Sequence, residues 1–314
     1  METIKIVFFG SSPYCLVTLK ALIADARYRL VAVVTQVAKP VGRKQIVTPT
    51  AVEVWAREHN IEVIKPTGWK KYVSEEERSR LRELGAEVGV LSNYGKILPK
   101  SVIDIFPKGI VNIHPSLLPK HRGPAPAVGA ILSGDTISGT SIMLLGAEMD
   151  AGPVIGAVTF QLQKNETQST YYEKGFRLGT EKLLELLPAY LAGEIVPSEQ
   201  DHTLATFTKM LSREDGEINW SEPAELIERK VRAYTPWPGS WTMVLRDQNN
   251  LIHLPKLMAE KIGLVTVSQY SESDKLTPLR MKILGVSLVD DRLRINIAQL
   301  DGDVAKEFGE LRLA

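Results

Sequence analysis

Short apolar runs and helix-length amphipathic segments alternate through the first half of the chain, the pattern of strands paired in parallel across helical crossovers. The runs fall at residues 4–9, 30–35, 62–64, 87–91 and 110–114. Between them, the Gly10-Ser11-Ser12-Pro13 turn predicts a helix to about Ala26, with Ser12 as its cap and Pro13 at the first helical position. Residues 50–59 and 75–84 predict two more helices. A short helix is expected to end near Gly134, with strands at 140–145 and 154–162.

The second half changes character. Residues 221–234 carry Leu226, Ile227, Lys230 and Val231 at helical spacing, with Ser221 as candidate cap and Pro236 beyond the end. Five short strands are then expected at 241–246, 251–254, 264–267, 280–286 and 293–298, which suggests a small barrel. Trp237 and Trp241 read as core and interface residues. Between the halves, residues 190–207 hold Gly193, Pro197 and a polar run and read as a linker. The expected division is therefore 1–189, 190–207 and 208–314, and a chain of 314 residues is long enough to need more than one core.

Composition and charge narrow the classes. Hydrophobic residues at 44% and charged residues at 24% describe a soluble globular chain. No apolar run spans a bilayer and the first residues enter a strand without a signal-peptide pattern, so a cytoplasmic protein without membrane contact is expected. The single Cys15 excludes an internal disulfide and reads as a small apolar residue at a helix start. A net charge of +1 gives no global basic field, so any nucleic-acid contact is local. One basic group is Lys39, Arg43 and Lys44 in the 35–49 stretch, which is too long for an ordinary connection and suits either phosphate contact or a solvated loop. Lys65, Lys70 and Lys71 either add local positive potential near the cleft or, taken singly, are solvated charges.

Candidate chemistry concentrates between residues 112 and 153. Asn112 and His114 are two apart in an apolar run, so on a strand they emerge on one face. Pro115 makes His114 the last extended residue, at the carboxyl edge where open α/β sheets hold ligands. Asp150, ahead of Ala-Gly-Pro, closes a turn or, if its hairpin folds back, stands beside His114. A carboxylate next to an imidazole favours imidazolium, which stabilises a developing oxyanion, and the Asn112 amide offers a second donor. No serine or thiol nucleophile belongs to this set, so it suits direct attack of an amine on a polarised carbonyl. Asn93-Tyr94-Gly95 follows a strand at the same edge and either meets a flat heterocycle or is a structural bend. Ser116-Leu117-Leu118-Pro119 places leucines in a loop, either as a pocket wall or as packing. Gly10-Ser11-Ser12 fails the dinucleotide fingerprint, with Ser12 and Cys15 where glycines are required. His59, His114, His121, His202 and His253 lack zinc-site spacing, so no metal is expected.

The segment NIHPSLLPKHRGPAP followed by MDAGP resembles the signature of the folate-dependent formyltransferases. The resemblance extends over nearly the whole chain, through TQVAKPVGR, NYGKILP, residues 208–220 and AYTPWPGSWT. It implies a Rossmann-like, mostly parallel sheet domain followed by a small OB-like β-barrel that binds tRNA. It further implies Asn112, His114 and Asp150 as catalytic residues and Ser116 to Pro119 as a folate-contacting loop, with Asn93, Tyr94 and Gly95 near the pterin. Lys39, Arg43 and Lys44 take the place of an acceptor-stem loop. The implied co-substrate is 10-formyltetrahydrofolate, the implied acceptor is the amino group of methionine on initiator tRNA, and a monomer is expected. NIHPSLLPK also resembles the purine-pathway relative, which usually lacks the second half. Two-domain sugar-nucleotide formyltransferases and a carrier-linked folate hydrolase are further relatives. A tRNA-binding protein of the same fold without catalysis is the reading outside enzymes.

Overall fold

A computed structural model describes residues 3–42, 44–69, 73–264, 276–289, 292–311 and 313. It divides into two compact units, the first formed by residues 1–126, 137–161 and 172–209 and the second by 127–136, 162–171 and 210–314.

The first unit is built on seven strands: β1 (Ile4–Phe9), β2 (Tyr28–Val34), β5 (Glu62–Ile64), β6 (Val88–Ser92), β7 (Ile110–His114), β8 (Ile137–Leu144) and β9 (Val154–Gln161), in the order β5-β2-β1-β6-β7-β8-β9. The strands from β5 to β7 pair in parallel, while β8 and β9 join antiparallel. Parallel strands covered on both faces read as continuous apolar runs, and β1 shows why: Ile6 and Phe8 enter one core, Val7 and Phe9 the other. Helices α1 (Leu16–Ala24), α2 (Ala51–Glu58) and α6 (Gln168–Leu191) cover the first face through Leu19, Leu22, Val52, Ala56, Phe176, Leu183 and Leu187. Helices α3 (Glu75–Glu83) and α4 (Lys100–Ile103) cover the second through Leu81 and Val102. A capping box between Ser74 and Glu77 starts α3.

Several expectations need correction. Ser12 occupies a cap position before the 3-10 turn Pro13–Cys15, yet its side chain makes no cap hydrogen bond and its hydroxyl is buried without a partner among the described residues. The 35–49 stretch contains an antiparallel hairpin of β3 (Lys39–Val41) and β4 (Ile46–Thr48), strands too short to leave an alternation in the sequence. Helix α6 was not among the expected elements; it carries Gly175, Gly179 and Pro188, residues that disfavour a helix interior. Gly179 has a packing reason: a Cβ there would lie 2.6 Å from Thr140 and 2.8 Å from Ile113, so the helix can approach the sheet only without one.

In the second unit, β10 (Ser240–Arg246), β11 (Ile252–His253), β12 (Thr277–Val289), β13 (Arg292–Leu300) and β14 (Lys306–Glu307) form an antiparallel sheet ordered β11-β10-β12-β13-β14. Register shifts around Gly285 bend the long β12, and a bridge from Ile252 to Leu313 brings the chain end back to the first edge, curling the sheet into an OB-like barrel. Helices α7 (Ala224–Ala233) and α8 (Lys256–Lys261) supply Ile227, Val231, Met258 and Ala259 to its core. A further helix, α5 (Pro126–Ser133), lies mostly in the residues grouped with this unit. Helix α7 begins later than Ser221, whose amide and hydroxyl both bond the Asn219 side chain, so Ser221 closes a turn instead of capping. Trp237 is 47% exposed and Trp241 is half-buried under Arg280, 4.1 Å from its ring, so neither is a core residue; that role falls to Trp220. The strand expected at 264–267 lies, from residue 265 on, outside the described residues. No described helix is long and apolar enough to cross a membrane.

Candidate active site

Strand β7 is buried along its whole length, and Asn112 and His114 share the face opposite Val111 and Ile113. The two side-chain-bearing residues are each 5% exposed, at the carboxyl end of the strand. The next residues turn sharply: the Ser116 amide donates to the His114 carbonyl at 2.8 Å, and the Ser116 hydroxyl donates to the Lys120 carbonyl at 2.6 Å. Ser141 on β8 braces the same loop, donating to the Ser116 carbonyl at 2.8 Å and accepting from the Leu118 amide at 3.0 Å. Both hydroxyls are thus used in holding the loop. Ser116 is fully buried, while Leu117, Leu118 and Pro119 are half-buried.

The loop returns to His114. Its Nε2 lies 3.2 Å from the His121 carbonyl. A carbonyl only accepts, so this nitrogen carries a hydrogen. Its Nδ1 faces Asp150 Oδ1 at 3.7 Å, beyond hydrogen-bond length. The other carboxylate oxygen, Oδ2, accepts from the Gly123 amide at 2.7 Å. Backbone atoms of residues 121 and 123 therefore anchor the outer edges of both groups, leaving their inner edges toward each other. Asp150 has φ +52° and His121 φ +58°, both in the left-handed region. Asn112 completes the cluster; among the described residues its carboxamide has no hydrogen-bond partner, and its polar atoms are not wholly sealed from solvent.

Asn93, Tyr94 and Gly95 follow β6, the strand next to β7. Asn93 has φ +46°, a region asparagine tolerates, and Gly95 φ +73°. The Tyr94 ring is buried edge-on to Phe9, 6.1 Å away, and burial pushes its hydroxyl up to about 12. Its carbonyl receives the Ser11 hydroxyl at 3.1 Å and the Gln36 amide at 2.6 Å. Tyr94 therefore serves the fold with its side chain, and Asn93 and Gly95 are the accessible parts of that turn. On the β3–β4 hairpin Lys39 and Lys44 are exposed, with Lys39 Nζ donating to Gln36 Oε1 at 2.6 Å. Arg43, Lys70 and Lys71 lie outside the described residues. Lys65 is paired with the buried Glu53 at 2.8 Å. Cys15 is fully buried, and burial pushes its thiol up to about 12, so it is a core residue and no nucleophile at neutral pH.

Three contributors escaped the sequence reading: Gly123, Arg122 and Gln200. Arg122, 3% exposed, sends Nε and Nη2 to Gln200 Oε1 at 3.1 and 2.7 Å and meets His202 Nδ1 at 3.1 Å. The Arg-Gly pair was legible as a motif, but nothing in the polar run around Gln200 marks a buried residue. No group of three or more His, Cys, Asp or Glu side chains suited to a metal occurs among the described residues.

A doubly wound sheet with an amide, an imidazole and a carboxylate past its strand ends, and no free nucleophile among them, suits a transferase in which one bound substrate attacks another. Sequence comparison gives the family. Residues 4–187 match the formyl transferase family and residues 210–301 the formyl transferase C-terminal domain, and the chain belongs to the formyl transferase family as a formyltransferase enzyme. The methionyl-tRNA formyltransferase of Chloroflexus aurantiacus is 45% identical over 238 residues, 76% of this chain and 76% of that one. A 4-N formyltransferase from Francisella tularensis superimposes with a TM-score of 0.59 at 18% identity, covering 79% of this chain and 94% of that one. A methionyl-tRNA formyltransferase from Clostridium thermocellum gives 0.53 at 14% identity, covering 97% and 99%. These two likenesses speak for the fold alone.

Proposed function

We propose that this enzyme transfers the formyl group of 10-formyltetrahydrofolate to the amino group of methionine on initiator tRNA, for translation initiation, as a cytoplasmic monomer that uses no metal. The 45% identity to a methionyl-tRNA formyltransferase supports the acceptor. The observation that carries the site is the nearly buried Asn112 carboxamide, unpartnered among the described residues, on the same strand face as His114. Such an amide keeps its donors and its acceptor open to a ligand at the strand end.

In this reading residues 1–189 carry the chemistry, 190–207 connect and 208–314 bind tRNA, with Lys39, Arg43 and Lys44 meeting acceptor-stem phosphates. The half-buried apolar wall of Leu117, Leu118 and Pro119, next to His114, fits a flat heterocycle, and the Asn93 to Gly95 turn fits its polar edge. Asn112 donates to the formyl oxygen and stabilises charge that develops there, while His114, its Nε2 hydrogen held by the His121 carbonyl, turns Nδ1 to the proton path. The unprotonated amine forms the new carbon–nitrogen bond, and the bond from the formyl carbon to the folate nitrogen breaks. The proton lost by the amine passes between His114 Nδ1 and the Asp150 carboxylate, directly or through water, to the departing nitrogen.

The test offers 10-formyltetrahydrofolate separately with methionyl initiator tRNA, an amino-sugar nucleotide and glycinamide ribonucleotide. Formylation in the first tube alone is expected. Product only with the amino sugar moves the enzyme to that branch, and tRNA binding without product in any tube supports the non-catalytic reading.

A further inference from the structure

Gln200 sits in the stretch that reads as a linker, yet it is 7% exposed and every hydrogen-bonding position of its amide is used. Its Nε2 donates to the Asp150 carbonyl at 2.9 Å and to the Gly152 carbonyl at 2.7 Å. Its Oε1 accepts from Arg122 Nε at 3.1 Å and Nη2 at 2.7 Å. Two donors and two acceptor positions are all a glutamine amide has.

The backbone around it is stitched to the same unit on both sides. Ser198 and Val154 exchange hydrogen bonds at 2.8 and 2.9 Å, four residues past Asp150. The Arg122 amide donates to the Thr206 carbonyl at 2.9 Å and the Thr208 amide to the Arg122 carbonyl at 2.8 Å. Between these seams, one side chain bridges the 150–152 turn and the 121–123 loop. Those two segments hold the pair, since His121 and Gly123 anchor His114 and Asp150 by backbone atoms. Asp150 also holds a left-handed φ of +52°, a conformation that surrounding contacts must maintain.

We propose that Gln200 is a positioning residue for the His114–Asp150 pair: its amide locks the turn carrying Asp150 to the loop carrying both anchors. The inference rests on the proposed role of that pair. Gln200 touches no reacting atom in this arrangement and acts only through the turn. A shift of about 1 Å in a reacting group costs up to roughly a hundredfold in rate, so loss of the clamp lowers turnover without removing either binding site.

Two variants separate the halves of the amide. Gln200→Glu keeps an acceptor for Arg122 and removes the donor to the turn, while Gln200→Met removes both at similar length. Each is made alone and with Asp150→Asn, checked for folding by thermal melting, and assayed for formyl transfer from 10-formyltetrahydrofolate to methionyl-tRNA. The expected result is kcat lower by about ten- to a hundredfold, both KM values within about threefold, and no further loss when Asp150 is already changed, the non-additivity of groups that act as a unit. Turnover within about twofold of the parent, a loss confined to KM, or losses that multiply with Asp150→Asn each overturn the proposal. If the methionine variant fails to fold, the glutamate variant decides. A fully active Asp150→Asn single variant instead overturns the reading of the pair itself, whatever Gln200 does.

Discussion

His114 Nδ1 and Asp150 Oδ1 face each other at 3.7 Å, while the far edge of each group is tied to the same three-residue loop. The distance is too long for a direct hydrogen bond, and an approach of less than about 1 Å would make it one. Because Nε2 is committed to the His121 carbonyl, the ring's remaining freedom to gain or lose a proton lies at Nδ1, on the carboxylate side. The pair thus consists of two groups tied at their outer edges to one loop, with a ring nitrogen and a carboxylate oxygen facing across the gap.

Replacing His114 by Ala is expected to lower kcat by roughly a hundredfold or more, the scale for losing a proton-transfer or electrostatic group. Folate and tRNA binding should persist, measured by equilibrium titration. Near-parental turnover in a folded variant would remove His114 from the chemistry.

Asn112 makes a sharper case, because stability and activity should separate. Its carboxamide has no partner among the described residues, so Asn112→Ala breaks no hydrogen bond within the protein and the melting temperature should hold or rise. Turnover should fall by about a hundred- to a thousandfold, as for loss of an oxyanion-stabilising donor. Loss of stability with intact turnover would make Asn112 a structural residue.

Gly123 has φ +108°, and a Cβ there would lie 2.7 Å from the Thr208 carbonyl oxygen. Gly123→Ala must therefore displace backbone, at about 1–3 kcal/mol for the strained conformation, and with it the amide that holds Asp150. Denaturant unfolding should register the loss, and the kcat of the folded fraction should drop as well. A variant equal to the parent in both would mean that the loop yields without consequence.

These relationships explain how far the sequence could be read. The strands were legible because β1, β2, β6 and β7 contribute to the cores on both faces of the sheet and are mostly apolar. Asn112 and His114 were legible for the converse reason, as two polar residues at even spacing in such a run. Asp150 needed the resemblance, since an aspartate before Ala-Gly-Pro reads equally as a turn. Gln200 left no signal: it meets Arg122 from 78 positions away, and a polar run gives no sign that one member is buried. Helix α6 was not anticipated at all; Gly175 and Gly179 lower its local helix propensity, whereas in the fold they admit β8 and β7.

The β3–β4 hairpin projects exposed Lys39 and Lys44 beside exposed Val41, Ile46 and Val47. If the lysines meet phosphates, changing both to Ala should weaken tRNA binding and reduce the salt dependence of log K by up to about one per lysine. Folate binding and the melting temperature should stay unchanged. An unaltered salt slope would make the hairpin a solvated surface feature.

Burial gives Cys15 and Tyr94, one in each core of the first unit, a pH signature that can be read without any substrate. The Cys15 thiol is raised from its ordinary 9.0 to about 12, and the Tyr94 hydroxyl from 10.0 to about 12, each because burial penalises the charged form. An acid raised on folding contributes stability that is complete below its unfolded value and is lost as pH climbs toward the folded one. Unfolding free energy should therefore hold up to about pH 9 and decline from there toward 12, with a shallower decline in Cys15→Ala. Below that range, a thiol reagent at pH 8 should leave the native protein untouched and label one thiol per chain in urea. Rapid labelling of the native enzyme would show that the sulfur is reachable and would overturn its place in the core.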